Sequence, residues 1–356
     1  MNKIESKEIE SKIKDLREKI RHHNKKYYID NDPEISDKEY DELYQKLEEL
    51  EKNHPEFITD DSPTQRVGSD RIDEFETVEH KVAMLSLNKA HDTSKIKEFD
   101  KKAKEKANQE KIDYVVEPKI DGLGVALYYE NKKLVQGATR GDGERGNDIT
   151  PNIKTIHTIP LRILDDSVLN NAEVRGEVYM PIKDFKDMNK ARAEQGQEPF
   201  ANPRNAAAGI LRRKEPTQVV EKPLKFFAYT LSYQENKSFN THWAKMKEMK
   251  RAGFRINNRI EKVHGINKVI NQIDQWSKVR DKLDYEIDGI VVKVNDIQIQ
   301  KRLGSTSHHP RWAIAYKFPA KRKTTKLKEV EVMVGRTGIL TPVGILEPIH
   351  LAGTEV

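Results

Sequence analysis

The sequence predicts an α+β protein: an N-terminal helical hairpin, then a domain of mainly antiparallel sheets, then the first strands of a small β module. Three observations predict this. Apolar residues recur at helical spacing up to His54, strand alternation takes over from about Ile112, and the mixture never becomes the regular strand-helix alternation of a parallel doubly wound sheet.

In the first part Ile9, Ile13, Leu16 and Ile20 share a helical face. After the turn-like Asp30-Asn31-Asp32-Pro33, a second helix carries Tyr40, Leu43, Leu47 and Leu50. Ser36 and Glu39 have the spacing of a capping box that starts this helix at Asp37, and His54-Pro55 closes it. HPEFITDDSPTQRVGSD then reads as a polar linker. Ile112, Tyr114 and Val116 alternate, and Val125 to Tyr129 and Leu134 to Ala138 flank Glu130-Asn131-Lys132-Lys133 as a β-hairpin. Further strands are expected at Glu173 to Met180, Leu224 to Leu231, Glu286 to Val294 and Arg311 to Phe318, with helices near 182 to 194, 204 to 213 and 265 to 283. A basic stretch, KRKTTK, leads to short strands in EVEVMVGR and ILTPVGIL, where the chain stops with the β module incomplete.

The 356 residues allow two or three domains, and 34% charged with 36% hydrophobic residues, mixed along the chain, describe a folded protein. No stretch approaches the length of a membrane span, and MNKIESKEIESK is too polar for a signal peptide, so the chain is read as cytoplasmic. The absence of cysteine excludes disulfides and thiolate zinc sites. His22-His23 and His308-His309 are poor metal candidates because adjacent residues point apart, and they are read as surface histidines. A net charge of +6 suits a polyanionic partner without proving one.

GDGERG (141–146) fits the letter of a dinucleotide fingerprint, but NDITPN follows where an apolar helix is required, so it reads as a charged turn in which Arg140 is a candidate ligand contact. No Gly-Lys pair occurs, so there is no P-loop. EPKIDG (117–122) places Lys119 just after a strand, in a turn set by Pro118 and Gly122. RGEVY puts Arg175, Glu177 and Tyr179 on one strand face. EIDGIVVKV (286–294) and RWAIAYKF (311–318) each carry a lysine within an apolar strand, and buried lysines need a partner such as phosphate. Trp312, Ile314, Tyr316 and Phe318 form the core face of the latter strand, while Ala313 and Ala315 leave room beside Lys317. Asp288 and Lys293 have opposite parity, so both can face one site only if the strand bulges at or near Gly289.

The order KIDG, RGEVY, IDGIVVK, AYKF resembles the covalent nucleotidyltransferases, the superfamily of DNA and RNA ligases and mRNA capping enzymes. MLSL (84–87), ATRGDG (138–143), FANPRNAAAGILR (200–212) and VGRTG near the end resemble the NAD-dependent DNA ligases specifically, over essentially all 356 residues. YYIDNDPEISDKEYD resembles that family's nicotinamide mononucleotide recognition domain.

The resemblance implies three parts: a helical recognition domain with linker (1–70), an antiparallel-sheet nucleotidyltransferase or adenylation domain (71–319), and the beginning of an oligonucleotide-binding (OB-fold) barrel (320–356). It implies an enzyme of DNA replication and repair that takes AMP from NAD, works with Mg2+ or Mn2+, and acts as a monomer on nicked double-stranded DNA. Lys119 would attack the α-phosphorus, expel nicotinamide mononucleotide and carry AMP as a phosphoramidate. Glu117, Lys293 and Ser86-Leu87 match positions around the adenine, Arg140 and Glu177 ribose-side positions, and Lys317 a phosphate-contacting lysine. Asp121 and Asp288 match acidic positions linked to the metal; Arg204, Arg212 and Arg280 match arginines that engage the leaving phosphate or nicked DNA. Tyr27, Tyr28, Asp37, Tyr40 and Asp41 match the nicotinamide-side cluster, with Tyr28 standing where some members carry histidine.

The chemistry of the residues agrees. A lysine of reference pKa ~10.4 is a poor nucleophile until deprotonated, and cations such as Lys293, Lys317 and magnesium favour its neutral form while Glu117 and Asp121 oppose this. The same cations suit the phosphoryl charge of an in-line transition state. Asp37, Tyr40 and Asp41, three and four apart, can converge on a cationic ring. Two other readings make different demands. An ATP-dependent ligase or capping-type enzyme shares KIDG but has no use for the hairpin cluster, and a non-catalytic DNA-binding module has no use for Lys119, Glu177, Asp288, Lys293 and Lys317 together. The family continues with the rest of the barrel, a cysteine-ligated zinc module, helix-hairpin-helix elements and a further domain, so this chain alone is expected to adenylylate itself but to seal nicks poorly.

Overall fold

The computed structural model describes residues 3–30, 32–66, 72, 74–235, 237–319, 323–335, 338–351 and 354–355. Helices α1 (Lys3–Asn24) and α2 (Asp37–Asn53) form the hairpin. Ile13, Ile20 and Leu47 are buried between them, with Ile9, Leu16, Tyr40, Leu43 and Leu50 packed around. The capping box is present in both halves: Ser36 Oγ accepts from the Glu39 N–H at 3.3 Å, and the Glu39 carboxylate accepts from the Ser36 N–H at 2.8 Å. α1 does not simply end at Asn24 but widens into a π-helix over Lys25–Asp30, a local distortion common at functional sites.

The segment expected to be a polar linker is packed. Asp61, Ser62 and Arg66 are buried. Its charges are satisfied by groups far away in sequence, which a local reading of polarity cannot register: Asp61 accepts from Arg21 at 3.0 Å and from Arg162 at 3.3 Å. Arg66 donates to the carbonyls of Lys154, Ile156 and Ile159. Positions 67–70, the end of that stretch, lie outside the described residues, as do Arg336 and Thr337 of VGRTG.

The central domain runs β1 (Thr77–Glu79), β2 (Asn88–Ala90), α3 (Thr93–Ala107), β3 (Asp113–Ile120), β4 (Leu123–Glu130), β5 (Lys133–Thr139), β6 (Arg145–Asn147), α4 (Thr150–Lys154) and β7 (Ala172–Tyr179). It continues through α5 (Ile182–Glu194), α6 (Pro203–Leu211), α7 (Thr217–Val220), β8 (Lys225–Gln234), α8 (His242–Arg251), β9 (Glu261–His264), α9 (Ile266–Val279), β10 (Ile287–Val294), α10 (Ile297–Leu303) and β11 (Ala313–Lys317). Two sheets carry it, in the orders β2-β11-β10-β3-β9 and β5-β4-β7-β8. Every pairing within them is antiparallel except β2 with β11.

Each sheet buries one face. Tyr114, Val116, Ile290, Val292 and Ile314 pack under α3 and α9, through Ile96, Phe99, Val269, Ile273 and Trp276. Val125, Leu127, Val174, Val178 and Phe226 pack against Ile153, Ile156, Ile159, Ile210 and Met249. The strand period of two leaves the alternate residues of both sheets on the other faces. These faces meet at Ile120, Tyr179 and Phe227 and border the site. After the central domain come an antiparallel pair, β12 (Leu327–Val334) and β13 (Leu340–Leu346), and a short antiparallel pair, β14 (His350–Leu351) and β15 (Thr354–Glu355).

Candidate active site

Lys119 lies inside β3, one residue before its end and not just after it as expected, and projects from its non-core face. Its Nζ lies 3.0 and 3.1 Å from the two carboxylate oxygens of Asp288, and Lys317 Nζ donates to the same carboxylate at 2.8 Å. The parity conflict between Asp288 and Lys293 is resolved as the alternation required: the β10–β3 register shifts between Ile287 and Gly289, so Asp288 is the bulged residue. Gly289 permits this, because a Cβ there would stand 2.0 Å from the Tyr316 carbonyl oxygen of β11. Burial opposes a charge on Asp288, but Lys119 and Lys317 hold its carboxyl below the usual range.

Lys293 does not wait for phosphate, contrary to expectation. It is 5% exposed and donates to Glu117 Oε2 at 2.8 Å and to the Tyr229 carbonyl at 2.8 Å. A buried lysine does require a partner, and on the neighbouring strand the protein supplies one. Glu117 is equally buried and has a second partner that the sequence reading missed, His242 Nε2 at 2.6 Å from Oε1.

On the four-stranded sheet, Gly124 marks the convergence of three groups. A Cβ built there would lie 3.7 Å from Glu177 Oε2, 3.7 Å from the Tyr229 hydroxyl and 4.0 Å from Arg140 Cβ. Burial pushes the Glu177 carboxyl up to about 7, with Lys119 and Arg204 pulling the other way. Tyr229 was not singled out from the sequence, although Phe227 and Tyr229 alternate with the core residues Phe226 and Ala228. The flanking members of RGEVY are structural: Arg175 binds Glu173 and the carbonyls of Val82 and Ala83, and Tyr179 stacks on Phe227 at 4.8 Å. Holding Val82 and Ala83 fixes the strap that carries Ser86 and Leu87 between the sheets. Met84 N–H donates to Gly143 O on one side, and Asn88 pairs with Ile314 on the other. The Ser86 carbonyl accepts from His309 at 3.1 Å. GDGERG is a turn, with Asp142 accepting from the N–H groups of Glu144 and Arg145.

Asp121 pairs with Arg204 at 2.8 Å, whereas Asp288 pairs with the two lysines. Neither carboxylate belongs to a group of three or more metal-ligating side chains among the described residues. Arg212, at the end of α6, is exposed. Arg280 lies over the Phe318 ring at 5.3 Å, beside the end of β11. His22, His23 and Glu34 do approach one another, which adjacent positions had argued against. Yet Glu34 already binds His22 at 2.6 Å and the Lys26 ammonium at 2.9 Å, and a lysine there opposes a cation.

The hairpin residues form a separate group. Tyr27, Tyr28, Asp37, Tyr40 and Asp41 all line one concavity, which also admits His23 and Asn24. Tyr40 donates to Asn24 at 2.8 Å, and Tyr28 stacks on His157 at 5.0 Å. His157 and the Arg66 contacts belong to the layer that covers Val125, Leu127 and Val174. Arg140, Glu177 and Tyr229 stand on the opposite face of that sheet. The structure thus brings the lysine cluster together and the hairpin cluster together, but leaves a sheet between them.

Three family models match the chain: "DNA ligase-like, N-terminal NAD+-binding domain" over residues 6–68, "NAD-dependent DNA ligase adenylation domain" over 72–321, and "NAD-dependent DNA ligase OB-fold domain" over 324–356. The DNA ligase of Thermotoga neapolitana is 47% identical over 350 residues, covering 98% of this chain and 50% of that protein. That of Aquifex aeolicus is 51% identical over 346 residues, covering 96% and 48%. That of Halothermothrix orenii is 47% identical over 348 residues, covering 98% and 51%. The chain spans about half the length of the curated relatives it matches. Among the described residues no helix is long and apolar enough to cross a membrane.

Proposed function

Because the chain belongs to the NAD-dependent DNA ligase family, we propose that it transfers AMP from NAD to Nζ of Lys119, as the first step in sealing nicked double-stranded DNA. The observation that carries this is the arrangement at Asp288, where a bulge aims one carboxylate at both Lys119 and Lys317. Nζ bonds to the α-phosphorus, the bond from that phosphorus to the bridging oxygen breaks, and nicotinamide mononucleotide leaves with the electron pair. Nζ has no free lone pair while it is an ammonium held by Asp288, so the ion pair loosens and the proton passes to solvent water before attack. Lys317, bonded to the same carboxylate, meets charge on the phosphoryl oxygens.

Glu117 and the Ser86-Leu87 strap receive the adenine, and Arg140 and Glu177 the ribose, in the cleft bordered by the two sheets. Mg2+ fits as a companion of the substrate phosphates. Asp288 Oδ1 has the Lys119 ammonium beside it at 3.0 Å; once Nζ gives up its proton, that carboxylate would join phosphate and water oxygens in an ordinary magnesium environment. When bound, the ion adds positive charge at the phosphoryl group. Arg204, Arg212 and Arg280 are assigned to the leaving phosphate and the DNA backbone. We divide the chain at 70 and 319; the first boundary falls between family matches that end at 68 and begin at 72, and the second lies just before the end of the match at 321.

Tyr27, Tyr28, Asp37, Tyr40 and Asp41 take the nicotinamide half, where carboxylates and aromatic faces suit a pyridinium. A sheet separates them from Lys119, so one NAD molecule reaches both only after the hairpin leaves the His157 face. The test is to incubate the protein with magnesium and either NAD or ATP, follow the AMP adduct by intact mass, and map it. NAD alone should give the adduct, on Lys119, and Lys119→Arg should abolish it because a guanidinium does not deprotonate. An adduct on another lysine, or from ATP alone, overturns the reading.

A further inference from the structure

His242 is the first residue of α8 and is 3% exposed. Its position is fixed from two sides. Thr241 caps the helix by accepting from the Ala244 N–H, and the His242 N–H donates to the Asn295 carbonyl at 2.7 Å while Asn295 Oδ1 accepts from the Trp243 N–H at 3.0 Å. Asn295 immediately follows β10, so the helix start is tied to the strand that carries Lys293. The imidazole is thereby held against Glu117, with Nε2 2.6 Å from Oε1, while Lys293 takes Oε2 at 2.8 Å.

From this geometry we infer that His242 is a positioning residue for Glu117 and makes the site selective for a 6-amino purine over a 6-oxo purine. The inference rests on the proposed reading, in which Glu117 faces the adenine. Burial and the nearby Lys293 lower the His242 pKa, so at neutral pH the ring is uncharged. A neutral ring donating to a carboxylate must carry its proton on Nε2. Burial works against the charge on Glu117, yet Lys293 and His242 hold its carboxyl below the usual range.

An ionised carboxylate accepts hydrogen bonds and donates none. It therefore welcomes the exocyclic amino group of adenine and repels the oxygen that hypoxanthine or guanine presents there. Without the His242 donor, one Glu117 oxygen would be buried and unsatisfied. The carboxyl could then rotate, or take up a proton and offer an O–H to a 6-oxo group, so discrimination would fall.

The test compares kcat/KM for lysyl-AMP formation from NAD with that for the inosine-type adduct from nicotinamide hypoxanthine dinucleotide. The proteins are wild type, His242→Leu, which removes the donor, and His242→Gln, whose amide can replace it. The Leu variant should lose about tenfold or more of the preference for NAD, mainly through a higher KM for NAD, and the Gln variant should keep it within about threefold. An unchanged preference in a folded Leu variant overturns the inference.

Binding of AMP against IMP, read by calorimetry on the same proteins, separates the two claims. If wild type forms no adduct from NAD, the functional reading falls. The His242 inference is then decided by whether the Leu variant loses an AMP preference that wild type shows; no preference in wild type overturns it. If the Leu variant does not fold, 15N NMR of histidine-labelled wild type decides. A neutral ring protonated on Nε2 at pH 7 supports the inference, and an Nδ1–H tautomer or an imidazolium overturns it.

Discussion

Lys119 and Lys317, on strands that both flank β10, end on the same oxygen, Asp288 Oδ2, at 3.1 and 2.8 Å. Asp288→Asn keeps the shape but removes the charge that both ammonium groups answer. Adenylylation of Lys119 from NAD should fall roughly 100-fold, because the carboxylate that positions both lysines and would hold magnesium is lost, measured as adduct formed against time by intact mass. Because the Asp288 carboxyl is held below the usual range, its contribution to stability is present above the unfolded carboxyl pKa of about 3.9 and is lost as pH falls through the folded value. The variant should therefore lose about 1–3 kcal/mol at pH 7, and the gap from wild type should close in acid. A constant gap down to strongly acidic pH would contradict the linkage.

Gly289→Ala tests the bulge itself. The added Cβ would meet the Tyr316 carbonyl oxygen at 2.0 Å, and neither strand can yield without moving Asp288 or the β10–β11 ladder. Overpacking of this kind costs roughly 1–3 kcal/mol, visible in chemical denaturation. Activity should fall further than stability accounts for. A stable, fully active variant would show that the bulge does not aim Asp288.

That bulge was legible in the sequence for a definite reason: Asp288 and Lys293 conflict in parity, and a glycine sits beside the conflict. The hairpin was legible because its core positions and its capping box are local patterns. What escaped was contact between distant segments. Nothing in the sequence around His242 distinguishes it from any histidine at a helix start, and its role comes from Glu117, a residue on another strand. Lys293 was correctly read as needing a partner, but its parity could not say whether substrate or protein would supply one. Asp61 and Arg66 looked like linker polarity because the groups they bind lie far along the chain.

Glu177 carries the opposite linkage from Asp288. Burial pushes its carboxyl up to about 7, above the unfolded value of about 4.3. The folded state therefore binds the proton more tightly, and stability from this group declines between pH 4.3 and about 7 and then levels. Glu177→Gln should be indistinguishable from wild type in acid and more stable above pH 7. The gain is at most about 4 kcal/mol, reduced because the side chain keeps some solvent contact. The same variant should adenylylate more slowly if Glu177 holds the ribose. Thermal melts across pH 4 to 9 with adduct assays at pH 8 decide both; a variant less stable than wild type at pH 8 refutes the burial argument.

Asp37 and Asp41 provide the cleaner test of the hairpin, since Tyr40 also packs with Leu43 and donates to Asn24. Both are exposed and line the hairpin concavity. Their alanine variants should melt within about 0.5 kcal/mol of wild type and form the AMP adduct from NAD at least about tenfold more slowly. Unchanged adduct formation would remove the hairpin from NAD recognition.

Whether the hairpin must move can be asked directly, because the chain has no cysteine and introduced thiols can be labelled alone. Arg21 on α1 and Arg162 beneath the four-stranded sheet both reach Asp61, at 3.0 and 3.3 Å, and neither belongs to the proposed site. Arg21→Cys with Arg162→Cys, joined by a bis-maleimide containing a reducible disulfide, holds the hairpin against the face that carries His157. In that state Tyr28 stays stacked on His157, and the concavity and Lys119 stay on opposite sides of one sheet. The joined protein should form no lysyl-AMP from NAD, and reduction of the linker should restore the rate of the unlinked double variant. Each single variant carrying the reagent at one end controls for modification itself. Adduct formation at the full rate in the joined protein would mean that NAD reacts at Lys119 without the hairpin, and the nicotinamide half would then need another site.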